Sequence, residues 1–394
     1  MALMLVRVDT VVLGAGAAGL MCAAVAGARG RRVALLDHNS QAGAKILISG
    51  GGRCNFTNQH LAPERFLSGN KRFCVSALQR YTAEDFVGLI RKHGIAYHEK
   101  TLGQLFCDGS ARQVVAMLLD ECRAAGVGLH LGTRVTDVSR AEVFRVETDT
   151  GVFEAPTLVL ATGGLSIPKL GATGFAHDLA RRFQLPLTPI RPGLVPLVFE
   201  GAALETMRPL SGVALPVVAR AGKMAFTEAL LFTHRGLSGP AVLQASSYLG
   251  AGEGLRLDLL PGVDATGALL DGKRRRPRAE AKTVLAELLP QRLASALGAG
   301  LPDVAMAEQP DRGLRALGAL LNGWELRPVG TEGYAKAEVT LGGVDTRALS
   351  SQTMGARDVP GLFVIGEAVD VTGWLGGYNF QWAWSSGWCA GQAV

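Results

Sequence analysis

Three consecutive glycines, an arginine, a cysteine and two asparagines crowd into residues 48–59, ISGGGRCNFTNQ. Cys54 offers a thiol, Arg53 a fixed cation, and Asn55, Thr57 and Asn58 short polar anchors, while Gly50, Gly51 and Gly52 leave backbone that a ligand can approach without obstruction. Four chemistries use such a set: a reactive thiol, a metal, a phosphate, or a flat redox cofactor. A metal lacks ligands, because the six cysteines form no CxxC pair and the seven histidines are dispersed along the chain. Dithiol exchange is excluded as well, since no second cysteine lies within five residues of Cys54. A second dense stretch is FTHRGLSGP, residues 232–240, where His234 could act as a general acid beside Arg235. Its GLSGP resembles a serine nucleophile elbow but puts Pro240 where the last glycine is required. The candidate catalytic groups are therefore Arg53, Cys54, His234 and Arg235.

These side chains need a frame, and the first 37 residues supply one. A β-rich run ends at Leu13, Gly14-x-Gly16-x-x-Gly19 opens an alanine-rich helix, and a second apolar strand ends in Asp37. Gly14 permits a tight turn, Gly16 lets the backbone approach a pyrophosphate, and Gly19 lets the helix pack closely on the sheet. The helix N-terminus then offers free N–H groups to the phosphates, and Asp37 accepts hydrogen bonds from ribose hydroxyls. This motif serves FAD and NAD alike. Two later turns favour FAD: the strand of residues 157–160 runs into Ala161-Thr162-Gly163-Gly164, and GLFVIGEAVD ends a strand in Gly366-Glu367. Between them, alternation from Val135 to Val146 predicts the small antiparallel hairpin sheet of FAD-binding Rossmann folds.

Composition agrees with an α/β protein of more than one domain. The chain has 394 residues, 48% of them apolar, and 51 glycines. Its formal charge of +6 is local, because KRRRPR at residues 273–278 contributes five cations; the pI alone is no argument for nucleic acid, which is not expected as a partner. We place that run in a solvated loop at a helix start. Residues 10–28 carry no charge, but 11 of the 18 from Val11 to Ala28 are Gly or Ala, too weakly apolar for a membrane span. A cytoplasmic protein with reduced thiols is expected.

Several blocks, GAGAAGLMCA, GAKILISGGGRCNFTN, LATGGLSIPKLGATG, LLFTHRGLSGPAVLQAS, KAEVTLGGVDTRALSSQTM and GLFVIGEAVDVTGWLGGYNFQWAWSSG, together resemble the BaiN-type FAD-dependent oxidoreductases of bacteria. The resemblance implies a Rossmann FAD-binding domain of glutathione-reductase-like topology in two segments, residues 1–190 and 335–394. It also implies an inserted β-rich, barrel-like domain, residues 191–262 and 322–334, and a small helical domain, residues 263–321. Those boundaries match the change from strand-rich to leucine- and alanine-rich texture along the chain. Three departures stand out: Asp37 where the family often has Glu, Lys45 as the lone cation of Gly43-Ala44-Lys45, and Cys107 in place of a proline.

Motifs and resemblance together place FAD against Gly14, Ala15, Gly16, Ala17, Ala18 and Gly19; Asp37 and His38; Lys45; and Ser49, Gly50, Gly51, Gly52, Arg53, Cys54 and Asn55. Further along, the expected contacts are Val135; Ala161, Thr162, Gly163 and Gly164; Gly366 and Glu367; and Gly376, Gly377, Tyr378 and Asn379. Backbone N–H groups near Tyr378 and Asn379 would face the ring edge where negative charge develops on reduction. No second strand–GxGxxG–helix unit exists for a permanent NAD(P) site, so NAD(P)H would bind only transiently. The leading expectation is an NAD(P)H-linked reductase or dehydrogenase of a small organic molecule. An oxygen-using oxidase of aminoacetone-like amines is second, and a flavoprotein that binds RNA or a partner through the basic run is third.

Overall fold

A computed structural model describes residues 4–394, and the fold follows from which strands are buried on both faces. Five short strands form one parallel sheet in the order Leu362–Val364, Thr157–Leu160, Thr10–Leu13, Val33–Asp37, Gly128–Leu131. The three central strands read as nearly unbroken apolar runs because helices cover both faces of a parallel sheet. The helices Ala17–Ala28 and Tyr378–Gly391 pack backbone to backbone. A Cβ on Gly387 would stand 2.5 Å from Ala18 O, and one on Gly391 2.8 Å from Cys22 O, so only glycine allows this approach. The apolar helix of residues 17–28 is thus an interior element, and no helix among the described residues is long and apolar enough to cross a membrane.

The expected hairpin is present as Val135–Arg140 and Phe144–Thr148, which pair antiparallel and continue through Val152–Ala155 into Leu5–Arg7, the last pair parallel. A three-stranded antiparallel sheet, Asn55–Asn58, Gln104–Cys107 and Tyr97–Glu99, carries the residues that follow the triple glycine.

The chain divides into two compact units, one running up to Arg191 and resuming at Val339–Val394, the other Pro192–Glu338. The second is built on a seven-stranded sheet ordered Trp324–Leu326, Leu255–Asp258, Ala214–Ala221, Met224–Thr233, Gly236–Ser238, Leu197–Val198, Gly330–Thr331. Ala214–Ala221 alternates exposed and buried side chains, as a sheet with one face in solvent requires. Its two edge strands do not pair with each other, so the sheet is open and not a closed barrel. The helices of residues 265–321 fall in this same unit, whereas the sequence suggested a domain of their own. They are an excursion between Leu255–Asp258 and Trp324–Leu326, which pair with each other and draw the helices back onto the sheet.

The basic run is also placed differently from the sequence reading. Lys273, Arg274 and Arg275 form the last turn of the helix Ala265–Arg275, where the helix dipole favours cations. The sequence hides this because Gly267 and Gly272 weaken the helical pattern that leads into the run.

Candidate functional site

The strand Thr10–Leu13 ends where the chain must turn, and Gly14 does so at φ 107° with its α-carbon against Ala161; a Cβ there would stand 2.6 Å from Ala161 O. A Cβ on Gly19 would stand 1.9 Å from Gly14 O, so the helix lies as close to the turn as backbone allows. Gly16 is the exception, with nothing within 4 Å of its would-be Cβ. It precedes the helix Ala17–Ala28, which has no side-chain cap. Asp37 is fixed by two backbone donors, Ala15 N at 2.7 Å to Oδ2 and Asn39 N at 2.8 Å to Oδ1. His38 stands beside it, half-exposed, with Nδ1 3.7 Å from Asp37 Oδ1.

Lys45, Ser166 and Glu367 close into a ring of hydrogen bonds from three distant parts of the chain. Lys45 Nζ lies 2.6 Å from both Ser166 Oγ and Glu367 Oε2, Ser166 Oγ donates to Glu367 Oε1 at 2.9 Å, and Thr340 N donates to the same oxygen at 2.8 Å. Burial alone pushes the Glu367 carboxyl up, but the Lys45 charge and the hydrogen bonds outweigh it and hold the group below the usual carboxylate range. Gly164 makes the ring possible, since a Cβ there would strike Thr340 Oγ1 at 2.4 Å. Nearby, Thr162 Oγ1 is buried and has no hydrogen-bond partner among the described residues.

In the triple-glycine loop, Gly50, Gly51 and Gly52 take φ values of 56°, 67° and 83°, and Cys54 follows at 52°. Gly51 and Gly52 face open space, whereas Gly50 is pressed against Phe106 and Asn55 N. Ser49 is used locally, donating to Ile46 O at 2.7 Å. Arg53 is exposed. Cys54 is wholly buried, and that burial pushes its thiol up to about 12, so it holds no thiolate near neutral pH and loses its place as a nucleophile. All six cysteines are buried and free, and Cys107 is pushed up to about 11 for the same reason.

The last helix, Tyr378–Gly391, starts at Gly377 with no side-chain cap, and a Cβ on Gly377 would lie 2.4 Å from Thr57 O. The loop and this helix start therefore touch directly. The Asn379 side chain is already spent on the turn before it, accepting from Gly373 N at 2.8 Å and donating to Gly373 O at 2.9 Å. The Tyr378 hydroxyl meets the Arg65 guanidinium, which lies 5.6 Å from the Trp374 ring centroid. Val135, at the start of its strand, is half-buried.

His234 and Arg235 sit on an exposed turn of the second unit. Thr233 Oγ1 accepts from Arg235 N at 3.2 Å and Gly236 N at 3.1 Å, and Arg235 O accepts from Phe199 N at 3.0 Å. With Phe199, Glu200 and Arg208 they line a cavity of about 430 Å³. Sequence reading missed Ser166, Thr340 and Arg65. Ser166 was visible in GLSIP, immediately after the ATGG turn, but Thr340 and Arg65 reach the site only through tertiary packing.

FAD fits these residues. The open space at Gly16, Gly51 and Gly52, the orphaned Thr162 hydroxyl and two uncapped helix starts are what a pyrophosphate and a polar-edged ring require. Among the described residues no group of three acidic, histidine or cysteine side chains could hold a metal ion. The fold is that of the FAD-dependent Rossmann oxidoreductases. Of solved structures, a 3-ketosteroid-Δ4-(5α)-dehydrogenase from Rhodococcus jostii RHA1 superposes with a TM-score of 0.50 at 14% identity, covering 98% of this chain and 97% of that one.

The family model described as "HI0933-like protein Rossmann domain" matches residues 8–393, and the chain belongs to that family of FAD-binding flavoproteins, which includes the BaiN-like enzymes. A relative from Escherichia coli K12, named ribosomal RNA dihydrouridine synthase, is 52% identical over 98% of both chains. One of the same name from Haemophilus influenzae is 44% identical over 98% of both. A 3-dehydro-bile acid Δ(4,6)-reductase from Clostridium scindens is 30% identical over 97% of this chain and 98% of that one. FAD is the cofactor of this chain.

Proposed function

We propose that this chain is an FAD-dependent reductase that saturates the C5–C6 double bond of a uridine in ribosomal RNA, with NAD(P)H as electron donor. The observation that carries it is the 52% identity, end to end, with a relative named for that product, supported by a second at 44%. The expectation of a small-molecule substrate and no nucleic-acid partner, drawn from the sequence, finds no support in those names. The bile-acid relative fits the same chemistry, because its name also describes reduction of a carbon–carbon double bond conjugated to a carbonyl. In uracil that carbonyl is C4=O. A hydride adds at C6 and a proton at C5, so two electrons from NAD(P)H and one proton from the protein or solvent balance the step.

Bound FAD supplies the two-electron chemistry. The protein's part is to hold it and to aim donors. The helix start after Gly16 would meet the pyrophosphate, Asp37 a ribose, and Lys45, Ser166 and Glu367 the middle of the cofactor. The N–H groups at the start of Tyr378–Gly391 would stabilise charge at the ring edge. Burial keeps every thiol protonated and away from solvent, so we assign the proton to C5 to solvent or to an oxygen or nitrogen acid.

The test is anaerobic mixing of the yellow holoprotein with NADH or NADPH, followed by protein-free ribosomal RNA transcribed in vitro. Bleaching by NAD(P)H, recovery of the yellow colour on adding RNA, and a uridine carrying two extra hydrogens after nuclease digestion are expected. Bleaching by aminoacetone but by neither nicotinamide would overturn the proposal in favour of an amine oxidase.

A further inference from the structure

We infer that the second unit carries an RNA-backbone docking surface, built where the end of the helix Ala265–Arg275 meets the start of the helix Asp311–Leu321; the choice of RNA as partner rests on the function proposed above.

Two segments more than thirty residues apart in sequence converge there. Lys273 Nζ bonds Asp311 Oδ1 and Gln309 O, each at 2.7 Å, tying the end of one helix to the start of the other. At the opposite end of the pair, a Cβ on Gly318 would lie 2.4 Å from Thr266 Oγ1, so the two helices run antiparallel in close contact. The stretch between them is held to the same place, with Ala307 N donating to Pro277 O at 2.9 Å and Met306 N to Ala279 O at 2.8 Å. Seven cations thus collect at one end of a helix pair: Lys273, Arg274, Arg275, Arg276 and Arg278 from one segment, Arg312 and Arg315 from the other.

Three of the acids at this end are already spent, and Glu308 is left exposed without an ion pair among the described residues. Lys273 pairs with Asp311, Arg274 with Asp271 at 3.3 Å, and Arg276 with Glu287. Arg275, Arg278, Arg312 and Arg315 are exposed and form no ion pair among the described residues. The dipole of Ala265–Arg275 accounts for cations in its last turn, but Arg312 stands in the first turn of Asp311–Leu321, where a cation opposes the dipole. The helix dipole does not explain it, whereas an external polyanion would. An anionic membrane is the poorer partner, because no large hydrophobic residue between 265 and 321 is exposed, and interfacial helices need an apolar face to insert. Exposed guanidinium groups that outnumber the unpaired acids around them suit the phosphodiester backbone of a structured RNA.

The test is salt-dependent binding of the holoprotein to in vitro transcribed ribosomal RNA, comparing the wild type with the quadruple variant Arg275→Gln, Arg278→Gln, Arg312→Gln, Arg315→Gln. Losing four phosphate contacts is expected to reduce the slope of log affinity against log salt by about 3, and to weaken binding roughly 100-fold at about 0.15 M salt. FAD content and melting temperature should be unchanged. The two double variants, one from each segment, should each give about half the change in slope. Unchanged affinity and slope would overturn the inference, as would an equal loss on replacing Arg112, Arg123 and Arg134 of the first unit, or tighter binding to phosphatidylserine vesicles than to RNA. If the wild type binds RNA through these arginines but leaves every uridine unreduced, the surface stands and the proposed reaction falls. If the quadruple variant reduces uridine with unaltered affinity, the surface alone falls.

Discussion

The two units handle charge in opposite ways. In the first, two charged groups at the candidate site have fixed partners: Lys45 has Ser166 and Glu367, and Asp37 has two backbone donors. In the second, four arginines at one end of a helix pair stand in solvent without an ion pair among the described residues. The contrast teaches a division of labour. A cofactor held for many turnovers rewards donors fixed in advance, because none must be reorganised when charge develops. A polymer that arrives and leaves rewards exposed cations, whose attraction is long-ranged and tuned by salt.

The largest effect is expected where backbone meets backbone. Gly19→Ala places a Cβ 1.9 Å from Gly14 O, and should cost about 3 kcal/mol of stability together with bound FAD, read from the flavin-to-protein ratio and thermal unfolding. A variant that folds with full FAD would break the picture of a preset first unit. Glu367→Gln comes next, at about 1 to 2 kcal/mol, discounted because both partners of the Lys45 pair are partly exposed. Its pH dependence has a definite sign. Since the folded carboxyl lies below its usual 4.5, Glu367 contributes stability above that value, and the contribution is lost as pH falls through the folded pKa. Melting curves from about pH 6 to about pH 3 should therefore show a steeper acid decline in the wild type than in the variant.

Cys54→Ala should be milder still, costing about 1 kcal/mol for the lost buried sulfur, with FAD and turnover retained. Lost turnover with FAD in place would restore the thiol as a participant. Smallest of all, Arg275→Gln and Arg312→Gln should change stability by less than about 0.5 kcal/mol, because exposed side chains without partners give little to the fold. A large drop in melting temperature would mean that these arginines serve the second unit's own packing.

The same contrast explains what sequence reveals. The turn at Gly14, the strand Thr157–Leu160 and the hairpin from Val135 are legible because local geometry dictates residue type: tight turns need glycine and doubly buried strands need apolar runs. Thr340 is not, since a threonine means little until Glu367 is brought beside it from another segment. Cys54 shows the limit from the other side: its type invites chemistry, and only burial shows the thiol to be inert. The basic run is readable as composition but not as a surface. Its meaning changes once Arg312 and Arg315, innocuous in sequence, are set beside it by the Lys273–Asp311 bond.

The measurement that bears most directly on the proposed reaction is site-mapped dihydrouridine in ribosomal RNA from cells with the gene, without it, and complemented by it. The expected result is one or a few uridines that carry two extra hydrogens only when the protein is present, and that lose them when Gly19→Ala replaces the wild type. Ribosomal RNA with identical uridine modification in all strains would contradict it.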